Sequence, residues 1–180
     1  MTTWKIDPLH STIGFSVRHM VVSKVRGRFA KFAGVIDLNG DDLTHSKLEA
    51  TIDAASIDTG TPERDAHLRS ADFLDAEAFP TLSYRSRRIE ALSGDRYRVI
   101  GDLTIRDVMR EVPLEVEYGG RAIDPWGNER AGFSARASLE RKEFGLAWNQ
   151  VLEAGGVLVG ERVDIDIELE VVSAAAERAA

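Results

Sequence analysis

The chain has 180 residues, 43% of them hydrophobic, and a formal charge of −7, which points to one domain with a sizeable core and argues against bulk attraction to nucleic acid or to an anionic membrane. Cysteine is absent, which excludes disulfides, thiolate catalysis and cysteine metal sites. The opening residues lack the regions of a secretory signal and no run reaches transmembrane length, so a cytoplasmic protein without stable membrane insertion is expected.

In chain order, period-two alternation predicts strand after strand. Ile13, Phe15 and Val17 share one face, followed by Phe29 and then Phe32, Gly34, Ile36 and Leu38. The parity changes between Phe29 and Phe32, which predicts a bulge near Ala30 and Lys31. Leu48, Ala50, Ile52 and Ala54 repeat the rule. The segment from Ser56 to Pro80 breaks it. Thr59 or Thr61 suits a helix cap, Pro62 the first helical position and Glu63 the first turn, while Leu68, Phe73 and Phe79 are apolar anchors. This is the pattern of a lid over the end of a barrel. Alternation resumes through Leu82 and Tyr84, then Tyr97, Val99, Gly101, Leu103 and Ile105. It continues through Val112 to Tyr118, through Ala131, Phe133, Ala135, Ala137 and Leu139, and from Val163 to Val171.

Short turns such as Asn39-Gly40-Asp41 and Asp124-Pro125-Trp126-Gly127-Asn128 join these runs. About eight alternating strands with tight connections describe a meander, and closing it into a barrel removes both sheet edges. The inward face mixes large residues with Gly34, Ala50, Gly101, Ala135 and Ala137, which predicts an internal cavity. A ten-residue strand spans about 33 Å, long enough for a slender ligand to lie along it. The barrel domain is expected over residues 1–172, with a frayed alanine-rich tail over 173–180.

Five blocks of residues, in order, resemble the YceI-like family of polyisoprenoid-binding proteins. They are Trp4, Ile6, Asp7, His10, Ser11, Ile13, Phe15, Val17 and His19; then Val25, Gly27, Phe29, Phe32 and Gly34; then Ser56 to Thr59 with Arg64, Asp65, His67, Leu68, Asp72 and Phe73; then Arg141, Lys142, Phe144 and Gly145; and last Val159, Gly160 and Val163. The resemblance implies an all-β, lipocalin-like antiparallel eight-stranded β-barrel with a short helical lid, holding a long isoprenoid or similar lipid. It also implies a homodimer. The turn after Ile105 departs from the family pattern, reading Arg106-Asp107 where relatives usually carry Gly and Thr.

The histidines are weighed one by one. His45 sits in a polar turn and reads as exposed; His10 reads as structural. His19 shares the parity of Val17 and points to the barrel mouth, and His67 pairs within the lid block or meets a ligand headgroup. No His-x-x-x-His or His-Glu-x-x-His spacing exists, so no metal and no cofactor are expected. No Gly-x-Ser-x-Gly elbow exists either, and no catalytic residue is assigned. Arg85, Arg87, Arg96 and Arg98 should face outward on one side, Glu115, Glu117, Asp164, Asp166, Glu168 and Glu170 on another; they are solvated surface or the two halves of a subunit interface.

The alternation and small inward residues require only a cavity for a long apolar lipid; the resemblance implies that this lipid is a polyisoprenoid or isoprenoid quinone, bound for carriage, storage or sequestration. The ligand wall is Phe15, Val17, His19, Phe29, Phe32, Ala50, Ile52, His67, Phe73, Tyr84, Leu103, Phe133, Ala135, Ala137 and Trp148. The alternative is an enzyme that modifies such a lipid with His19, Asp65 and His67.

Overall fold

Each alternating run falls on a strand of the computed structural model, which describes residues 1–40 and 42–175. The strands are β1 (Thr2–Ile6), β2 (Thr12–His19), β3 (Ser23–Phe29), β4 (Phe32–Leu38), β5 (Lys47–Asp53) and β6 (Ile57–Asp58). After one helix, α1 (Pro62–Arg69), come β7 (Thr81–Ala91), β8 (Arg96–Ile105), β9 (Val108–Ile123), β10 (Glu129–Glu140) and β11 (Val159–Ser173). The order β1-β4-β5-β7-β8-β9-β10-β11 closes on itself because β11 also pairs with β1.

β1 and β2 are two lengths of one barrel strand. Ile6 pairs with Val171 and Thr12 with Glu168, successively along β11. β4 and β3 run beside them in the same way. The barrel is therefore eight-stranded and antiparallel, with a lipocalin-like closure. The break foreseen at Ala30 and Lys31 separates β3 from β4. There Ala30 N donates to Ser56 O and Asp53 N to Lys31 O, so the backbone groups freed by the bulge are satisfied. Gly160 sits at a second irregularity, between the Val159–His19 and Val163–Val17 pairs.

One end of the barrel is closed by a 3₁₀ turn, Leu43–His45, whose Leu43 is buried. An apolar cluster of Trp4, Ile6, Ile36, Leu38 and Val171 fills that end. The other end carries the lid segment, the Arg106-Asp107 turn between β8 and β9, and the loop 145–158. Ile52, Leu74, Leu82, Leu103 and Phe144 belong to the second cluster, beneath the lid.

β1 was not foreseen as a strand; two inward residues, Trp4 and Ile6, are too short a run for alternation to show. The inward glycines also need correction. Space at Gly101 is filled by Tyr84, whose ring and hydroxyl would lie 2.6–2.7 Å from an added Cβ, and space at Gly34 by Ile6 at 2.7 Å. These glycines admit a neighbouring side chain and leave no void. The expected tail also begins later: Ser173 is buried in β11 opposite Trp4, and Ala174 N donates to Thr3 O. The remainder of that tail, 176–180, lies outside the described residues, as does Asp41 of the Asn39-Gly40-Asp41 turn.

Three of the four outward arginines pair within the chain. Arg85 lies 3.0 Å from Glu49, Arg87 3.2 Å from Asp102 and Arg98 2.8 Å from Glu115. Exposed pairs of this kind contribute only about 0–1 kcal/mol each.

Candidate ligand cavity

The lid is built around a buried carboxylate. Thr61 is the N-cap of α1, and Pro62 occupies the first helical position as the sequence predicts. The Thr61 hydroxyl makes no cap hydrogen bond; it accepts from Arg64 Nη2 at 3.1 Å. Asp65, 5% exposed, reaches back instead and accepts from Thr59 N at 2.9 Å and from the Thr59 hydroxyl. Arg64 completes the knot, donating from Nε to Thr59 Oγ1 at 2.8 Å and from Nη2 to Thr59 O at 3.1 Å. Arg69 Nε donates to Ala55 O at 2.9 Å, which anchors the helix to the 3₁₀ turn Ala54–Ser56 that precedes β6.

After the helix the chain turns inward. Phe73 and Leu74 are buried, and Leu68 and Phe79 are half-buried. The β8–β9 turn holds this segment down. Arg106 takes φ of 57°, a left-handed conformation that favours glycine. Its Nη1 lies 3.5 Å from Phe73 O and its guanidinium 5.7 Å from the Phe79 ring centre. Arg106 thus makes a lid contact from a turn position whose conformation favours glycine.

Behind the lid is a cavity of about 570 Å³, within the range of about 300–1,000 Å³ typical of small-molecule sites. It runs from Leu38, Leu43 and Leu48 near the 3₁₀ turn to His19, Arg64 and Trp148 at the lid end. Its wall is almost wholly apolar. Of the expected wall, Phe15, Val17, His19, Phe29, Ala50, Ile52, His67, Phe73, Tyr84, Leu103, Phe133, Ala135 and Trp148 line it. Phe32 and Ala137 do not. Phe32, at the bulge, packs against both apolar clusters, and Ala137, beyond the last β9–β10 pair at Arg136, packs against the lid-end cluster.

Tyr84 is the polar group most deeply set in this wall. Its hydroxyl lies 2.9 Å from Val112 O and 3.3 Å from Val99 O. Burial pushes the phenol far above its ordinary range, with the Asp102 and Glu111 charges adding to the shift, so it stays neutral.

The charged groups and histidines gather with Thr59 at the lid end, as Arg18, His19, Glu63, Arg64, His67 and Arg141, while Ser46 lines the closed end beside Leu43 and Tyr97 lies along the wall. His67 faces Asp72 at 2.8 Å and meets Trp148 and Phe73 edge-on, with ring centres 4.5 and 5.1 Å away. It therefore pairs within the lid block and lines the cavity as well. Asp65 is occupied by Thr59, so the His19–Asp65–His67 group of the enzyme reading does not assemble. Arg141, 3% exposed, donates to four backbone carbonyls, those of Leu146, Trp148, Gly160 and Val159. Burial lowers its pKa, with Glu161 opposing. It carries the loop bearing Leu146 and Trp148 over the cavity mouth. Sequence reasoning missed Arg141, Arg64, Leu146 and Leu158 as wall residues. The signal for Arg141 was its place in the fourth family block, directly before an apolar loop.

At the far end His10 pairs with Asp7, Nδ1 to Oδ2 at 2.8 Å, and His45 is exposed beside Asp42. Asp7, His10 and Glu170 bring ligand atoms within 4.8 Å of one another. Arg130 already spans this cluster, its Nη1 2.7 Å from Asp7 and bonded also to Glu170, with Nε 2.8 Å from Asp124. A guanidinium holds these carboxylates in the way a metal ion otherwise would.

An antiparallel barrel with a lidded, almost wholly apolar cavity and charged groups at its mouth defines the class. Residues 4–171 match the YceI-like domain model, and the chain belongs to that family. It is 36% identical over 171 residues to a UPF0312 protein of Staphylococcus epidermidis, covering 94% of this chain and 97% of that one. Among solved structures it is similar to Burkholderia cenocepacia BcnA, with TM-score 0.81, 22% identity, and 92% and 98% of the two chains covered. It is also similar to a polyisoprenoid binding domain from Saccharophagus degradans implicated in plant cell wall breakdown, with TM-score 0.70, 15% identity, and 96% and 99% covered. Among the described residues no helix is long and apolar enough to cross a membrane.

Proposed function

We propose that this protein binds one long apolar chain, a polyisoprenoid or isoprenoid quinone, inside the barrel and carries, stores or sequesters it. The observation that carries the reading is the shape and chemistry of the cavity: an almost wholly apolar wall from Leu43 to Phe73, with the charged groups gathered at the lid end. Burial of chain surface supplies affinity at about 25 cal/mol per Å². The polar groups at the lid end set orientation, so the headgroup lies beside Arg64, His67 and Arg141 while the tail runs toward Leu43. The family membership and the polyisoprenoid-binding relative of the same fold support this choice of ligand. The reading makes the protein a binder and not a catalyst. Titration with polyprenols and quinones of increasing length, followed by Trp148 fluorescence with Trp148→Phe as blank, tests it. Affinity should rise with chain length and level off when the cavity is full. Affinity independent of chain length would refute an interior site.

A further inference from the structure

The β2–β3 turn carries its apolar side chains outward. Met20, Val21 and Val22 are 44%, 65% and 82% exposed. Met20 and Val21 take φ of 52° and 65°. A β-branched residue is a genuine outlier in that region, where Gly, Asn or Asp ordinarily stand. The loop 145–158 adds exposed Val151 and Val157. The two segments are joined, since Met20 N donates to Leu158 O at 2.9 Å. This apolar rim adjoins the cavity, because Arg18, His19, Leu158 and Val159 all line it.

Charge distinguishes the β2–β3 hairpin from the lid segment at the same end of the barrel, which carries Glu63, Asp65, Asp72, Asp75 and Glu77. Between Asp7 and Asp37 the chain holds no carboxylate, yet it holds Arg18, Lys24, Arg26, Arg28 and Lys31. All five are exposed. Lys24 lies 3.8 Å from Asp164 and Arg28 3.4 Å from Asp58, whereas Arg18 and Arg26 meet no carboxylate among the described residues. Glu153 is the carboxylate of the 145–158 loop. The opposite end also exposes apolar residues, Ile123 at 74% and Trp126 at 81%. That end, however, carries Asp7, Asp37, Asp42, Asp124, Glu129 and Glu170, and its cations Arg121 and Arg130 are paired with Glu129 and with Asp7, Asp124 and Glu170.

We propose that the β2–β3 tip docks the protein on an anionic lipid surface. Met20, Val21 and Val22 would enter the boundary between headgroups and acyl chains, with Arg18, Lys24 and Arg26 over the headgroups. The overall charge of −7 does not prevent this. Screening within about 10 Å at 0.1 M salt lets the nearest charges decide. Cations on β3 also guard a sheet edge against pairing, but that role does not call for three exposed aliphatic residues at the tip. Docking would place the cavity mouth at the bilayer, so that an apolar chain passes between them without crossing water. Only this last consequence rests on the lipid-chain reading.

Cosedimentation of the full chain with vesicles tests the proposal. Two compositions are used, phosphatidylcholine alone and phosphatidylcholine mixed with phosphatidylglycerol, both free of isoprenoid. The protein should bind the mixed vesicles, bind the neutral ones weakly, and release as salt rises. Val21→Asp combined with Val22→Asp should weaken binding about tenfold or more, through lost apolar burial. Arg26→Glu should weaken it about fivefold or more, and Trp126→Ala should change nothing. These sites are exposed, and thermal melts check that each variant is folded. No binding to mixed vesicles, or a tip variant that binds as well as its parent, overturns the proposal. If the parent ignores vesicles and the tip variant instead loses self-association in sedimentation equilibrium, the tip belongs to a second copy of the chain and the proposal fails. A protein that docks but takes up no isoprenoid would refute the lipid-chain reading and leave docking intact.

Discussion

Replacing Ala135 with leucine asks whether the space beside it is void or packed core. Ala135 lies mid-strand in β10, between Val116 on β9 and Ile167 on β11. It is 6% exposed and lines the cavity of about 570 Å³. In a filled interior three added carbons push neighbours off their rotamers and cost about 1–3 kcal/mol. Beside a void of this size they have room. Their burial then contributes roughly 2 kcal/mol at about 0.8 per carbon. Lost side-chain freedom takes back roughly 0.5–1 kcal/mol. Delipidated Ala135→Leu should therefore be about 1 kcal/mol more stable than its parent, read from urea midpoints at unchanged m. The same leucine occupies space that a bound chain needs, so isoprenoid bound per protein should fall sharply. Ala137→Leu, two positions further along and outside the wall, should leave bound isoprenoid unchanged. A loss of more than about 1 kcal/mol for Ala135→Leu, with isoprenoid content unchanged, would show that Ala135 faces packed core.

Three further outcomes follow from the geometry. Phe73 is 6% exposed and packs against His67 and Trp148, so Phe73→Ala should cost about 3–5 kcal/mol in denaturant unfolding; a loss under about 0.5 kcal/mol would mean that the lid is not docked. A Cβ at Gly101 would lie 2.6 Å from Arg85 O and from the Tyr84 ring, so Gly101→Ala should destabilise by about 1–3 kcal/mol; a neutral result would mean that Tyr84 moves freely. Asp124 is held well below the usual carboxylate range, first by the Arg130 hydrogen bond and then by those from Asn128 and Trp126. A folded pKa below the unfolded value of about 3.9 gives stability that is complete above that value and lost as pH falls through the folded one. Melts taken from neutral pH downward should therefore show steeper acid loss for the parent than for Asp124→Asn; equal slopes would exclude Asp124 as a contributor.

Much of the barrel is legible because side-chain direction alternates with a period of two, and burial on one face writes that period into the chain. The parity change between Phe29 and Phe32 marks the bulge for the same reason. What a single chain does not write is which neighbour fills the space left by a small residue. Gly101 admits Tyr84 and Gly34 admits Ile6, whereas Ala50 and Ala135 face the void; all read alike by size. The lid anchors Phe73 and Leu68 were visible as apolar residues at a break in alternation. Arg64 and Arg141 were not, because a charged residue reads as surface until its carbonyl partners are in place. The apolar tip at Met20 to Val22 breaks the expectation that turns are polar, and that break marked the surface taken here as a docking site.

Mass spectrometry of lipid extracted from the purified protein, after exposure to a mixture of polyprenols, quinones and fatty acids, tests the central claim most directly. The cavity and its polar mouth predict about one long isoprenoid per chain, selected over shorter or saturated competitors and lost in Ala135→Leu. Protein that returns no lipid, or one that retains the mixture in its starting proportions, would contradict it.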